Sequence, residues 1–284
     1  MKAVTKKFHE YQFEYHIQPG KWMSEQNQNQ LKEQLMQVNS SSGKNLNYGI
    51  FDPSLSADAQ REFFTTSNIC IIKEKQVPVG FFYNVILSET PVPAIHAGLV
   101  MLARNSGHDL LSASYAYMTY LQYRKFGSYF YTNISSTPSI VGVFSDTFSE
   151  VWPSYKANQI KPPSKQYLRI LEVLEEKYIK KYFQASDLKV DKKRFVLKSD
   201  SQSMGFETDL KKLSRYSKPE SNYFCMYWLD YSKGEDLIQV GKVRWGSVLK
   251  LNLFVAYQRI RGFFGPSQGS RGENTASQLK ETRG

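Results

Sequence analysis

Cysteine is scarce in this chain, with two, Cys70 and Cys225, among 284 residues. Both lie inside apolar runs, NICII and YFCMYW, and read as buried thiols. Two such residues make neither a disulfide framework nor a cysteine-ligated metal cluster. Long apolar runs are also missing; none reaches the roughly 18 residues that cross a bilayer. The start MKAVTKKFHEYQF is basic but has no apolar h-region, so no secretory leader is expected. There is no Gly-x-Ser-x-Gly elbow, Walker loop or zinc-ligand spacing, and no dinucleotide fingerprint with its downstream acid. These absences exclude several large enzyme classes, predict no metal site, and point to the cytoplasm.

What the chain does contain is globular: 41% hydrophobic and 14% aromatic residues, with 19 Tyr and 18 Phe. That is enough for one large domain, or a domain with a sizeable extension. The net charge of +11 is unevenly spread. Residues 1–155 hold 12 Lys and Arg against 12 Asp and Glu, whereas residues 156–284 hold 25 against 14. An excess confined to one half implies either a solvated basic surface or an acidic partner.

Residues 13–17 read as a first strand, and residues 24–39 as a helix capped by Ser24, with a short helix at 56–64. Residues 68–73 and 79–87 form a hairpin around a polar turn. The nearly continuous apolar run 94–102 reads as a central strand. A polar turn leads into a helix over 110–126, closed by Gly127. A strand over 128–134 and a helix from Pro138 to about Phe148 complete the unit. Beyond residue 156, the spacing predicts a helix over 167–183 and strands at 194–197, 222–229 and 237–245. The segment 247–260 reads as helix or strand, and 265–284 as a disordered tail.

The turn after the central strand, Arg104-Asn105-Ser106-Gly107-His108-Asp109, is the strongest chemical signal. A strand-to-helix turn aims free backbone N–H groups at an anion, Gly107 permits close approach, and Arg104 adds a cation. An Arg and a Gly in such a turn are also common as purely structural residues.

Residues 68–155 resemble the GNAT superfamily of N-acyltransferases. The apolar-Gly hairpin Val77-Pro78-Val79-Gly80-Phe81-Phe82 precedes the central strand. The Arg104–Asp109 loop, a helix, a strand and a second helix follow in the family's order, with Asp109 where the family carries a small residue. The resemblance implies an α/β (α+β) fold: a mixed, mostly antiparallel twisted sheet with a splayed central strand pair, flanked by helices. On this reading residues 1–155 form the donor-binding core, and a basic α+β extension over 156–264 packs on it.

The resemblance implies transfer of an acyl group from a pantetheine thioester, acyl-CoA or acyl-carrier protein, to an amine by direct attack in a ternary complex. The thioester is a co-substrate, and no cofactor is held permanently. The Arg104–Asp109 loop would hold the pyrophosphate. A backbone N–H near Val100, Met101 or Leu102 would stabilise the oxyanion, with Asn133 as a positioning group. His96, eight residues before Arg104, is the candidate base, against the alternative of a core histidine. The second helix carries Phe144 and Phe148 but no Tyr, so Tyr131, Ser135 and Tyr155 are the candidate acids.

Two other readings use the basic half: binding of a polyanion, for which no nucleic-acid signature is present, and peripheral contact of residues 248–264 with a membrane surface.

Overall fold

The computed structural model describes residues 3–8, 10–90, 92–103, 109–156, 163–182, 188–198 and 209–264. The chain opens with the antiparallel hairpin β1 (Ala3–Phe8) and β2 (Tyr11–Ile17). Helix α1 (Glu25–Ser42) follows, its first turn capped by the Ser24 side chain and its end turned by Gly43 at φ 74°. Helix α2 (Ala57–Thr66) is capped in the same way by Ser56. Next come β3 (Ser67–Glu74), β4 (Val77–Leu87), β5 (Ala94–Leu102), α3 (Asp109–Phe126), β6 (Tyr129–Ser135), α4 (Pro138–Thr147) and β7 (Ser149–Trp152).

The second half supplies α5 (Lys165–Leu174), a π turn (Glu175–Ile179), the single turn α6 (Lys180–Tyr182), and strands β8 (Lys189–Asp191) and β9 (Val196–Lys198). It ends with α7 (Pro219–Trp228), β10 (Glu235–Val243) and α8 (Trp245–Phe264). No helix among the described residues is long and apolar enough to cross a membrane.

All strands join one unclosed sheet in the order β1-β2-β3-β4-β5-β6-β10-β9-β8, with β7 paired to β10. Among the described residues every pairing is antiparallel except β5 with β6. Helices cover both faces. One face packs Leu31 and Leu35 of α1, Phe63 and Phe64 of α2, and Ile170 and Leu174 of α5 onto the sheet. The other packs Met118 and Leu121 of α3 with Phe82, and Phe144 of α4 and Val248 of α8 around Tyr131. A half-apolar helix and a sheet buried on both faces are stable only in this layered arrangement.

The structure revises the sequence reading in three places. The 156–264 segment does not simply pack on the core. It provides β10, whose run Asp236–Gly241 is buried and which lies beside β6 in the same sheet. The segment 222–229 is helix α7 rather than a strand. Pro219 starts it, and the buried residues Ser221, Phe224 and Cys225 fall on one helical face. Tyr223, Met226 and Tyr227 are exposed on the other, and this apolar solvent face gave the run its strand-like look. The helix expected over 167–183 is interrupted by the π turn, which brings Tyr178 and Ile179 onto the core. The tail 265–284 lies outside the described residues.

Candidate functional site

The site is built where β5 and β6 part. Their parallel ladder has three rungs: Ala94 with Phe130, Ile95 with Tyr131, and His96 with Thr132. Beyond His96, β5 continues to Leu102 paired with β4, while β6 continues to Ser135 paired with β10. The two central strands thus separate within the sheet.

A bulge marks the point of departure. Phe82 pairs with Val100 and Asn84 with Ala97, so two steps along β4 match three along β5. The extra residue falls at Gly98–Leu99, opposite Tyr83. A bulge bends its strand and re-aims the backbone. Gly98 is required there, because a Cβ would sit 2.3 Å from the Tyr83 ring and 2.8 Å from the Tyr83 carbonyl oxygen. From Ala97 to Leu102 the β5 edge away from β4 has no ladder partner among the described residues. Val100 is 42% exposed, whereas Met101 is buried and Leu102 half-buried. The opening therefore spans 97–102, which includes the residues 100–102 where the sequence reading centred the oxyanion donor, with the bulge at its near end. A lone glycine inside an apolar strand was the signal for it.

His96 lies at the last rung with its side chain in the core. It is 2% exposed, its Nδ1 is 2.8 Å from Thr132 Oγ1, and the Tyr178 ring packs against it with centroids 4.2 Å apart. Burial lowers its pKa to about 3, so the imidazole is neutral at ordinary pH and a feeble proton acceptor. The geometry favours the core-histidine alternative over a base that meets a solvated ammonium.

Tyr131 is buried on the opposite face of the sheet. Its hydroxyl donates to Asn84 Oδ1 at 2.9 Å and hydrogen-bonds the hydroxyl of Tyr115 on α3. Burial raises its pKa well above the usual phenol value, so it stays protonated. Ser135 Oγ accepts from the Thr137 backbone N–H at 3.0 Å, a local turn bond that prepares the start of α4. Asn133, one residue past the last rung, is buried, and its Nδ2 has no hydrogen-bond partner among the described residues. Its register neighbour Gln239 has an equally unpartnered Oε1. Tyr155 lies elsewhere, donating to Asp146 Oδ1 at 2.7 Å.

Arg104, Asn105, Ser106, Gly107 and His108 lie outside the described residues; helix α3 begins directly after them, at Asp109. Asn84, Tyr115, Gly98 and Tyr178 are the participants the sequence reading missed. Three of them come from elements distant in the chain, and only Gly98 left a trace in the pattern.

Several cations of the basic half are paired with carboxylates from both halves of the chain. Lys177 pairs with Glu89 at 2.8 Å, Lys181 with Glu62 at 2.5 Å, Lys192 with Glu175 at 3.7 Å and Arg194 with Glu235 at 3.1 Å. The first two pairs join the two halves of the chain, and the last two lie within the basic half itself.

No protein-family model matches the chain, and a search of curated proteins finds no match.

Proposed function

We propose that the protein is a GNAT-like N-acyltransferase that takes an acyl group from a pantetheine thioester and passes it to an amine. The observation that carries this reading is the parting of β5 from β6 immediately beyond His96, with a glycine bulge at the same place. A pantetheine arm is an extended chain of amides. It pairs with a strand edge that has lost its neighbour, much as a peptide adds to a sheet. The opening between β5 and β6 offers such an edge over residues 97–102, and on β6 Asn133 follows the last rung.

The chemistry asks little more of the protein. A backbone N–H re-aimed by the bulge stabilises the oxyanion of the tetrahedral intermediate. The amine attacks as its free base, the C–S bond breaks as the C–N bond forms, and the departing thiolate takes up the proton the nitrogen gives up, a thiol with a pKa near ~8.5 being a good leaving group. Holding amine and thioester together supplies much of the remaining acceleration. The Arg104–Asp109 turn, between β5 and α3, is assigned to the donor's pyrophosphate on the strength of its sequence. Both acyl-CoA and acyl-carrier protein present the same pantetheine, and the assignment covers both.

The test is a thermal melt with coenzyme A, repeated with the Gly107→Val variant. We expect coenzyme A to raise the melting temperature of the wild type and not of the variant, whose melt without ligand is unchanged. Oligonucleotide should leave both alone. No shift with coenzyme A, acetyl-CoA or a phosphopantetheinylated carrier protein would overturn the proposal.

A further inference from the structure

Helix α8 carries large apolar side chains on the face turned away from the protein as well as on the face turned in. Ser247 and Val248 are buried, and Val248 and Leu251 join the aromatic core beneath α3 and α4. On the outer side Trp245, Leu249 and Leu253 are 54%, 48% and 60% exposed, and Phe254 beside them is 48% exposed. The first three follow at i, i+4 and i+8 and form one stripe along the helix. Trp245 packs one side against Tyr123 of α3, with ring centroids 5.7 Å apart, and leaves the rest of its ring at the surface. Such a contiguous apolar stripe at a surface marks an interaction site.

Charge selects the occupant. The twenty residues of α8 include Lys250, Arg259 and Arg261 and no acidic residue. The carboxylate at its start, Glu150, is already paired with Arg244. A second copy meeting α8 across a two-fold axis would set cation against cation. Nucleic acid would match the charge but leave the apolar stripe in water. An anionic lipid surface satisfies both: acyl chains take the stripe and headgroups take the cations.

We infer that α8 docks the protein, lying flat, on an anionic membrane surface through Trp245, Leu249 and Leu253. This is independent of the acyltransferase reading and stands or falls by a different measurement.

The experiment is co-sedimentation of the full chain with vesicles of phosphatidylcholine alone and of equal parts phosphatidylcholine and phosphatidylglycerol, at two salt concentrations. Tryptophan emission is recorded alongside. We expect binding to the anionic vesicles, weakened by salt, and a blue shift that disappears in Trp245→Phe. Leu249→Glu with Leu253→Glu should reduce partitioning by roughly tenfold or more, as expected for removing two apolar anchors. Lys250→Gln should reduce it by about fivefold. If the double variant fails to melt cooperatively, Lys250→Gln and the Trp245 shift decide. The inference is overturned by absent binding to anionic vesicles, by equal binding in a well-folded double variant, or by a blue shift that survives in Trp245→Phe. It is equally overturned if the face instead mediates self-association that Leu253→Glu abolishes.

Discussion

His96 and Thr132 face each other across the last rung of the β5–β6 ladder, Nδ1 to Oγ1 at 2.8 Å, and beyond them the two strands separate. The pair sits at the fork of the sheet. Because burial holds the imidazole pKa at about 3, the folded state resists a proton that the unfolded chain accepts near ~6.5. The unfolded state therefore binds more protons between these values, so stability is full above pH 6.5 and is lost as pH falls. Urea unfolding at pH 7 and pH 5 should reveal about 2 kcal/mol more loss in the wild type than in His96→Gln. Equal losses would mean that the histidine is protonated in the folded protein.

Gly98 is fixed by Tyr83, whose ring is itself wedged edge-on against Phe63 with centroids 5.0 Å apart. Gly98→Ala should destabilise the fold by about 1–3 kcal/mol, the usual cost of overpacking. It should also weaken any coenzyme A-induced rise in melting temperature. A neutral Gly98→Ala variant would show that the bulge can relax.

The Tyr131 hydroxyl joins β6 to Asn84 on β4 and Tyr115 on α3. Tyr131→Phe keeps the ring packing and leaves a buried amide oxygen without its donor. The cost should be about 1–3 kcal/mol. Denaturant unfolding measures it, and Asn84→Ala in the Tyr131→Phe background should then cost less than Asn84→Ala alone, since the partners are coupled.

Asp146 on α4 gathers Tyr155, Tyr216, Lys156 and Lys218 around one carboxylate. Its hydrogen bonds to the lysines and tyrosines outweigh burial and hold its pKa below the usual carboxylate value. A depressed carboxylate stabilises above its unfolded pKa near ~3.9 and ceases to as pH falls through the folded value. Asp146→Asn should lower stability at pH 7 by about 1–3 kcal/mol and leave a shallower acid limb below pH 4. An unchanged melt would reduce the cluster to surface decoration.

Much of the scaffold was legible from local pattern. The hairpin of β3 and β4, the apolar run of β5, the Gly127 stop after α3 and Pro138 at the start of α4 each follow from period or from a capping residue. Strand β1 was missed, because a short edge strand with two adjacent lysines, Lys6 and Lys7, among few apolar residues carries little hydrophobic signal. Helix α7 was misread because its exposed Tyr223, Met226 and Tyr227 masked the buried stripe beneath.

The sequence by itself determined where strands and helices alternate and which residues are apolar enough to be buried, because those follow from neighbours along the chain. Only the tertiary structure decided that β10 would lie against β6, that the β5–β6 ladder would stop at His96, and that Asn84, Tyr115 and Tyr131 would meet. Each of these joins residues far apart in the chain, by sheet register and side-chain packing, and no local spacing encodes that partnership.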